Sequence, residues 1–158
     1  MGKFGITAGE KRLGLLMGNI SRLHATRADQ SLEAIGLFRG QAILLMLLSH
    51  QDGLTHSEIA EKLEISPAAA TKVIKRMEAL HYLQRRPDPA DERISRVFLE
   101  EESWTVIRQI KNAFQQIDQI LLTDLSPDEK DMLIKLLNKV YANLLEQPAG
   151  PPEIHQGQ

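Results

Sequence analysis

The segment from Thr55 to Leu80 opens two helices in quick succession. Thr55 and Glu58 form a capping box: the threonine oxygen takes the third backbone amide while the glutamate reaches back to the cap amide. Ser66 repeats the N-cap, and Pro67 stands at the first helical position, where its missing donor is not needed. The two helices, Thr55–Leu63 and Pro67–Leu80, are joined only by Glu64, Ile65 and Ser66. A joint that short forces a sharp turn, which is the helix-turn-helix arrangement.

The surroundings are helical on both sides. Leu13, Leu16, Met17, Ile20 and Leu23 recur at helical spacing and predict a helix over 9–34. Arg39–Gln51 is apolar nearly all round and predicts a central helix, broken at Gln51-Asp52-Gly53. After Leu80 the period becomes strand-like. "YLQRR" and "ISRVFLE" flank a proline-bearing loop, which predicts a β-hairpin with Pro87 to Glu92 at its tip. Two long helices follow, about 101–123 and 127–146, the second opened by a capping box of Ser126 and Glu129 with Pro127 inside it. Ile107, Ile110, Phe114, Ile117 and Leu121 step by three and four, the spacing of a helix-pairing seam, as do Leu133, Leu136, Leu137, Val140 and Leu144. The tail, 147–158, is rich in Pro and Gly and is expected to be disordered. The expected class is mainly α with a small β component (α+β), in one domain spanning 1–158.

Several functions are excluded or disfavoured. With no cysteine, disulfides, thiolate metal sites and thiol redox sensing are ruled out. The longest apolar run, Ala42 to Leu48, is too short to span a bilayer. Nothing at the amino terminus reads as a signal peptide, and Ile6 stands where a myristoylation motif needs Ser or Thr. The expectation is a cytoplasmic protein with no membrane partner. There is no phosphate-binding glycine loop, zinc-protease motif or nucleophile motif, so no enzyme activity, cofactor or metal site is expected. His50 and His56 straddle a loop without nearby carboxylates at ligand spacing and read as surface histidines; with His24 and His81 they are what a metal-responsive reading would have to use.

The local charge points to a partner. Although the whole chain carries −2, Ser66 to Arg96 holds seven Lys/Arg against four Asp/Glu, leaving twelve against seventeen elsewhere. Basic charge concentrated in one stretch favours a polyanion. In the second helix of the pair, Ala70, Val73, Ile74, Met77 and Leu80 fall on one face. Ala68, Ala69, Thr71, Lys72, Lys75 and Arg76 fall opposite. Small residues near the start let a helix approach base edges in the major groove, and basic residues behind them reach bases or phosphates. Thr71 and Lys72 are therefore candidates for base contacts, with Ala68 and Ala69 making room; Ser66, Lys75 and Arg76 suit phosphates. In the hairpin, Arg85, Arg86 and Arg96 lie near the stem. Phosphate contacts and salt bridges to Asp88 and Glu92 are both open to them.

"LTHSEIAEKLEISPAAATKVIKRMEALHYLQRRPDPADERISRVFLEEE", Leu54 to Glu102, resembles the MarR-type (multiple antibiotic resistance regulator) winged helix-turn-helix proteins. The set comprises the LT start, the SP-initiated helix, RRPDP at the hairpin and the D-x-R of Asp91 and Arg93. The "GLFRGQ" of Gly36 to Gln41 and the flanking helices extend it to nearly the whole chain. The resemblance implies a homodimer interleaving helices 9–34 and 101–146, with a DNA-binding lobe over 36–100. It implies a transcriptional regulator, usually a repressor, of a pseudo-palindromic double-stranded DNA operator, in many members released by a small aromatic or phenolic ligand. Met17 and His24 are the candidate pocket residues. The hairpin becomes a wing, with Arg93 entering the minor groove and Asp91 accepting hydrogen bonds within the loop. His81 and Glu64 stand where glycine is common, and Glu100 where Ser or Thr often caps the next helix. Two alternatives stay open: a winged-helix module that binds protein, and a metal-responsive regulator on the same scaffold.

Overall fold

The computed structural model describes residues 8–146, with side chains from residue 12 onward. The order is α1 (Ala8–Glu33), α2 (Arg39–His50), β1 (Leu54–Thr55), α3 (His56–Lys62), α4 (Pro67–Ala79), β2 (Leu83–Pro87), β3 (Ser95–Leu99), α5 (Ser103–Leu121) and α6 (Pro127–Glu146). The chain divides into two compact units after Asp118. The expected tail, 147–158, lies outside the described residues.

The helix starts follow the capping chemistry. Thr55 Oγ1 accepts from the Glu58 amide at 3.2 Å, and Glu58 Oε2 accepts from the Thr55 amide at 2.7 Å. Ser66 Oγ accepts from the Ala69 amide at 3.2 Å. At α6, Glu129 Oε2 accepts from the Ser126 amide at 2.8 Å. The start of α5 moved: Ser103 and Trp104 donate to Glu100 and Glu101 in a preceding turn. Ser103 Oγ does not cap its helix but donates to the Tyr82 carbonyl, fastening α5 to the chain entering the hairpin.

The sheet has the order β1-β3-β2 and is antiparallel throughout. β2 pairs with β3 from Leu83↔Leu99 to Pro87↔Ser95. β1 was not anticipated. Its two residues, Leu54 and Thr55, pair with Val97 and Arg96, a run too short for any periodicity to reveal. The core of the first unit lies under this sheet. Leu44, Leu45 and Leu48 of α2 meet Ile59 of α3, Ile74 and Met77 of α4, Val97 of β3 and Ile107 and Ile110 of α5. α1 joins through Leu32, and Arg39 ties it to α2 by donating to Asp29 Oδ1 at 2.8 Å and to the Ala25 carbonyl at 2.7 Å.

Two expected apolar faces are exposed among the described residues. Leu13, Leu16, Ile20 and Leu23 of α1 are exposed. In α6 no residue is buried, and Leu144 keeps 67% of its surface in solvent.

Three helices of the first unit end alike. Leu37, Ile65 and Tyr82 donate to Leu32, Ala60 and Met77, while the residue before each donates three positions back. This is the Schellman arrangement, which needs a left-handed residue. That residue is Gly36 (φ 75°) in one case but Glu64 (φ 52°) and His81 (φ 57°) in the others. A side chain with a Cβ is strained there by about 1–2 kcal/mol, partly offset by the greater chain entropy that glycine loses. Glu64→Gly and His81→Gly should each therefore raise stability by about 0.5–1 kcal/mol in urea unfolding. Gly53 is the reverse case. At φ 74°, an added Cβ would stand 2.9 Å from the Phe98 ring, so Gly53→Ala should cost about 1–3 kcal/mol. Stabilisation by Gly53→Ala, or loss with either glycine replacement, would contradict this geometry.

Candidate nucleic-acid interface

The α4 helix is amphipathic as its sequence requires. Ala70, Ile74 and Met77 are buried, and Val73 is half-buried. Leu80, expected on that face, is instead an exposed C-cap, because the chain has already turned away. Opposite, Ala68, Ala69, Lys72, Lys75 and Arg76 are exposed. At 100° per residue, Ala68, Lys72 and Lys75 centre this face, with Ala69 and Arg76 toward α2 and Thr71 on the other flank. Thr71 is half-buried, and its hydroxyl donates to the Pro67 carbonyl at 2.9 Å, leaving its oxygen to accept. Ser66 has its oxygen committed to the cap and its proton free to donate. Lys72 and Lys75 make no ion pair among the described residues. The Arg76 guanidinium lies over the Phe38 ring, 4.9 Å from its centroid.

The wing is organised from its stem. Arg86 and Arg96 are directly opposite each other on β2 and β3, a like-charge pairing that opposes the hairpin. The two guanidinia take different partners. Arg86 lies over the Phe98 ring at 5.1 Å, with its Nε donating to Gln84 Oε1 at 3.1 Å. Arg96 is bonded to Asp88 Oδ2 through Nε, donates to the Gly53 carbonyl through Nη1 at 2.9 Å and faces Glu58 at 3.7 Å. Arg85 pairs with Glu78 at 2.5 Å. The alternatives left open for the stem arginines are thus divided: Arg85 and Arg96 are in ion pairs, and Arg86 is in none among the described residues.

The loop beyond is ordered by two aspartates. Asp88 is buried, and its Oδ1 accepts from the Ala90 amide at 2.7 Å and the Asp91 amide at 3.3 Å. Asp91 Oδ1 accepts from the Arg93 amide at 3.0 Å, and its carbonyl takes the Ile94 amide at 2.9 Å. Asp91 thus bonds the backbone of Arg93, whose exposed side chain makes no ion pair among the described residues. Hydrogen bonds from Arg96 and then Ala90 hold the Asp88 carboxyl below its ordinary value against the opposing effect of burial. Glu58 is lowered chiefly by the Thr55 amide. His56, at the start of α3, is lowered first by burial and then by Arg85.

Met17 and His24 lie seven residues apart on α1. They line neither the shallow trough of Arg12, Leu13, Leu15, Leu16 and Asn19 nor an apolar depression of about 240 Å3 bounded by Gly40, Ile43, Leu63, Ile65, Ala69 and Val73. Among the described residues, no three His, Asp or Glu side chains gather as a metal site would require. No helix there is long and apolar enough to cross a membrane.

The model of the MarR family matches residues 37–95, from the end of the α1–α2 connection through the wing loop. The HTH-type transcriptional regulator YwoH of Bacillus subtilis is 30% identical over 70% of this chain and 80% of its own length. The chain belongs to the MarR family. A mutant of MepR from S. aureus superposes with a TM-score of 0.76 at 26% identity, covering 83% of this chain and 97% of MepR. A second MepR mutant, bound to an oligodeoxyribonucleotide, matches with a TM-score of 0.63 at 25% identity over 84% and 97% of the two chains.

As a MarR-family protein the chain is a DNA-binding transcriptional regulator, not an enzyme. The winged helix-turn-helix with flanking long helices is the family architecture. Sequence reasoning left the Arg96 partner open and named Gly53 only as part of the break after the second helix. The bond from the Arg96 guanidinium to the Gly53 carbonyl spans 43 residues, beyond any local pattern. Phe38 carried only the "GLFRGQ" resemblance.

The wing stem has a definite pH signature. Because the folded Asp88 value is depressed from 3.8, its stabilisation is fully present above that value and is lost as pH falls through the lower folded one. NMR titration of the Ala90 amide, which donates to Asp88 Oδ1, should therefore show a transition below 3.8 that is missing in Asp88→Asn. A midpoint at or above 3.8 would refute the Asp88–Arg96 pairing in solution.

Proposed function

We propose that the protein is a homodimeric repressor of a pseudo-palindromic operator, with α4 in the major groove and the wing in the adjacent minor groove. The observation that carries this reading is the exposed row Ala68, Lys72 and Lys75, free of ion pairs among the described residues and flanked by a wing whose Arg93 backbone is bonded to Asp91. Lys72 and the Thr71 oxygen read base edges; Ser66, Lys75, Arg76 and Arg86 meet phosphates. Arg93 senses a narrow minor groove, where negative potential concentrates. In this reading residues 9–34 and 101–146 supply the dimer, because the leucine-rich faces of α1 and α6 are exposed among the described residues, and 36–100 form the DNA-binding lobe. The oligodeoxyribonucleotide bound to the MepR relative supports DNA as the partner.

The test begins with selection of duplexes from a random pool, followed by titration at several salt concentrations. Lys75→Ala should weaken all duplexes alike and lower the salt slope by about one. Asp91→Ala removes a negative charge, so simple electrostatics predicts tighter binding; loss of the Arg93 support predicts weaker binding. Sedimentation should find two chains per duplex. Tighter binding by Asp91→Ala, or one chain bound per site, would sink the proposal.

A small organic molecule is the effector class we assign. The apolar depression beside α4 suits an aromatic ring better than Met17 and His24 do, since Ala69 and Val73 form one wall and belong to the recognition helix itself. Aromatic acids should raise the melting temperature and release DNA. Stabilisation by zinc alone, abolished by replacing histidines, would favour the metal-responsive alternative.

A further inference from the structure

We infer that Phe38 is a positioning residue for DNA binding, its ring holding the Arg76 guanidinium flat so that the edge of that group is presented to a phosphate. The inference rests on the reading above in which Arg76 contacts DNA.

Phe38 is an aromatic side chain with no place in the core. It keeps 60% of its surface exposed at the N-cap of α2, while Leu37 beside it is buried. Its backbone is nevertheless fixed. The Phe38 amide donates to Gln41 Oε1 at 2.8 Å, and its carbonyl accepts from Gln41 at 2.9 Å and Ala42 at 3.1 Å. Gln41 and Ala42 are themselves buried. The ring is therefore carried on a rigid mount while its surface faces outward. Arg76 lies across it at 4.9 Å and makes no ion pair among the described residues.

A guanidinium held over a ring face has a chemical consequence. Cation–π contact uses the face of the guanidinium, whereas its five N–H donors lie in the plane and point outward at the rim. A carboxylate partner would occupy those donors; an aromatic ring leaves them free. It also restricts a long, rotamer-rich side chain before DNA arrives, so less freedom is lost on binding. Arg85 and Arg96 show the contrast, since both have donors occupied by carboxylates. Arg86 over Phe98 is a second stack, but its Nε is engaged by Gln84 and Phe98 lies against Gly53, so the ring there also has structural work. Phe38 isolates the effect.

The test uses the full chain and one duplex recovered by selection from a random pool, with affinity measured over a range of salt concentrations and unfolding followed in parallel. Arg76→Ala should reduce affinity and lower the salt slope by about one. Phe38→Leu keeps apolar bulk without the ring and should weaken binding about two- to fivefold, with an unchanged unfolding midpoint. Phe38→Tyr restores the ring and should rescue binding. In the Arg76→Ala background, Phe38→Leu should add no further loss. Wild-type affinity for Phe38→Leu alongside a weakened Arg76→Ala would overturn the positioning role alone. A Phe38→Leu defect that persists without Arg76, or that tracks a fall in stability, would overturn it as well. No effect of Arg76→Ala on affinity or slope would overturn both this inference and the phosphate role on which it rests.

Discussion

The contacts of Arg96 hold the DNA-binding lobe together as one piece. One guanidinium joins Asp88 at the end of β2, the Gly53 carbonyl before β1 and the face of Glu58, which also caps α3. The wing is thereby referenced to the helix-turn-helix instead of hanging from two strands. The arrangement is demanding: with one partner removed, a half-covered charge loses its compensation, which costs more than the net value of the intact pair. It also resolves the Arg86–Arg96 opposition, since one member is neutralised and the other moves onto Phe98. Asp52 works in parallel, its Oδ1 accepting from Gly53 and Leu99, both at 3.0 Å, so that together with the Arg96 bond to the Gly53 carbonyl both ends of β3 are tied to the same turn.

How much of this was legible follows from the range of each interaction. The starts of α3, α4 and α6 were readable because capping joins residues three positions apart. The left-handed residues Glu64 and His81 were marked by departure from a glycine pattern. β1 and the Arg96 contacts were not, because both depend on which strands lie side by side after folding. Asp88 and Glu92 looked equally available to the stem arginines. Only the strand register sets Asp88 diagonally from Arg96 on the same face of the hairpin.

Periodicity had a different limit. It marks an apolar face without saying what covers it. In α5 the three-four spacing is buried within the chain at Ile107, Ile110 and Ile117. In α6 the same spacing at Leu133, Leu136, Leu137 and Leu144 stays exposed. Identical patterns thus have different fates, and the exposed one underlies the proposed dimer.

The charge count in the sequence also changes meaning once partners are known. Seven basic residues against four acids between Ser66 and Arg96 looked a modest excess, with acids oddly placed for a DNA-binding loop. Glu78 is taken by Arg85 and Asp88 by Arg96, so these acids cancel arginines of the stem. Asp91 has one oxygen on the Arg93 amide. Outside these pairs are Lys72, Lys75, Arg76, Arg86 and Arg93, drawn from the outward face of α4 and from the wing. The acids therefore sort the basic residues into those that build the lobe and those available to a polyanion, and a chain of net charge −2 can present a concentrated positive surface.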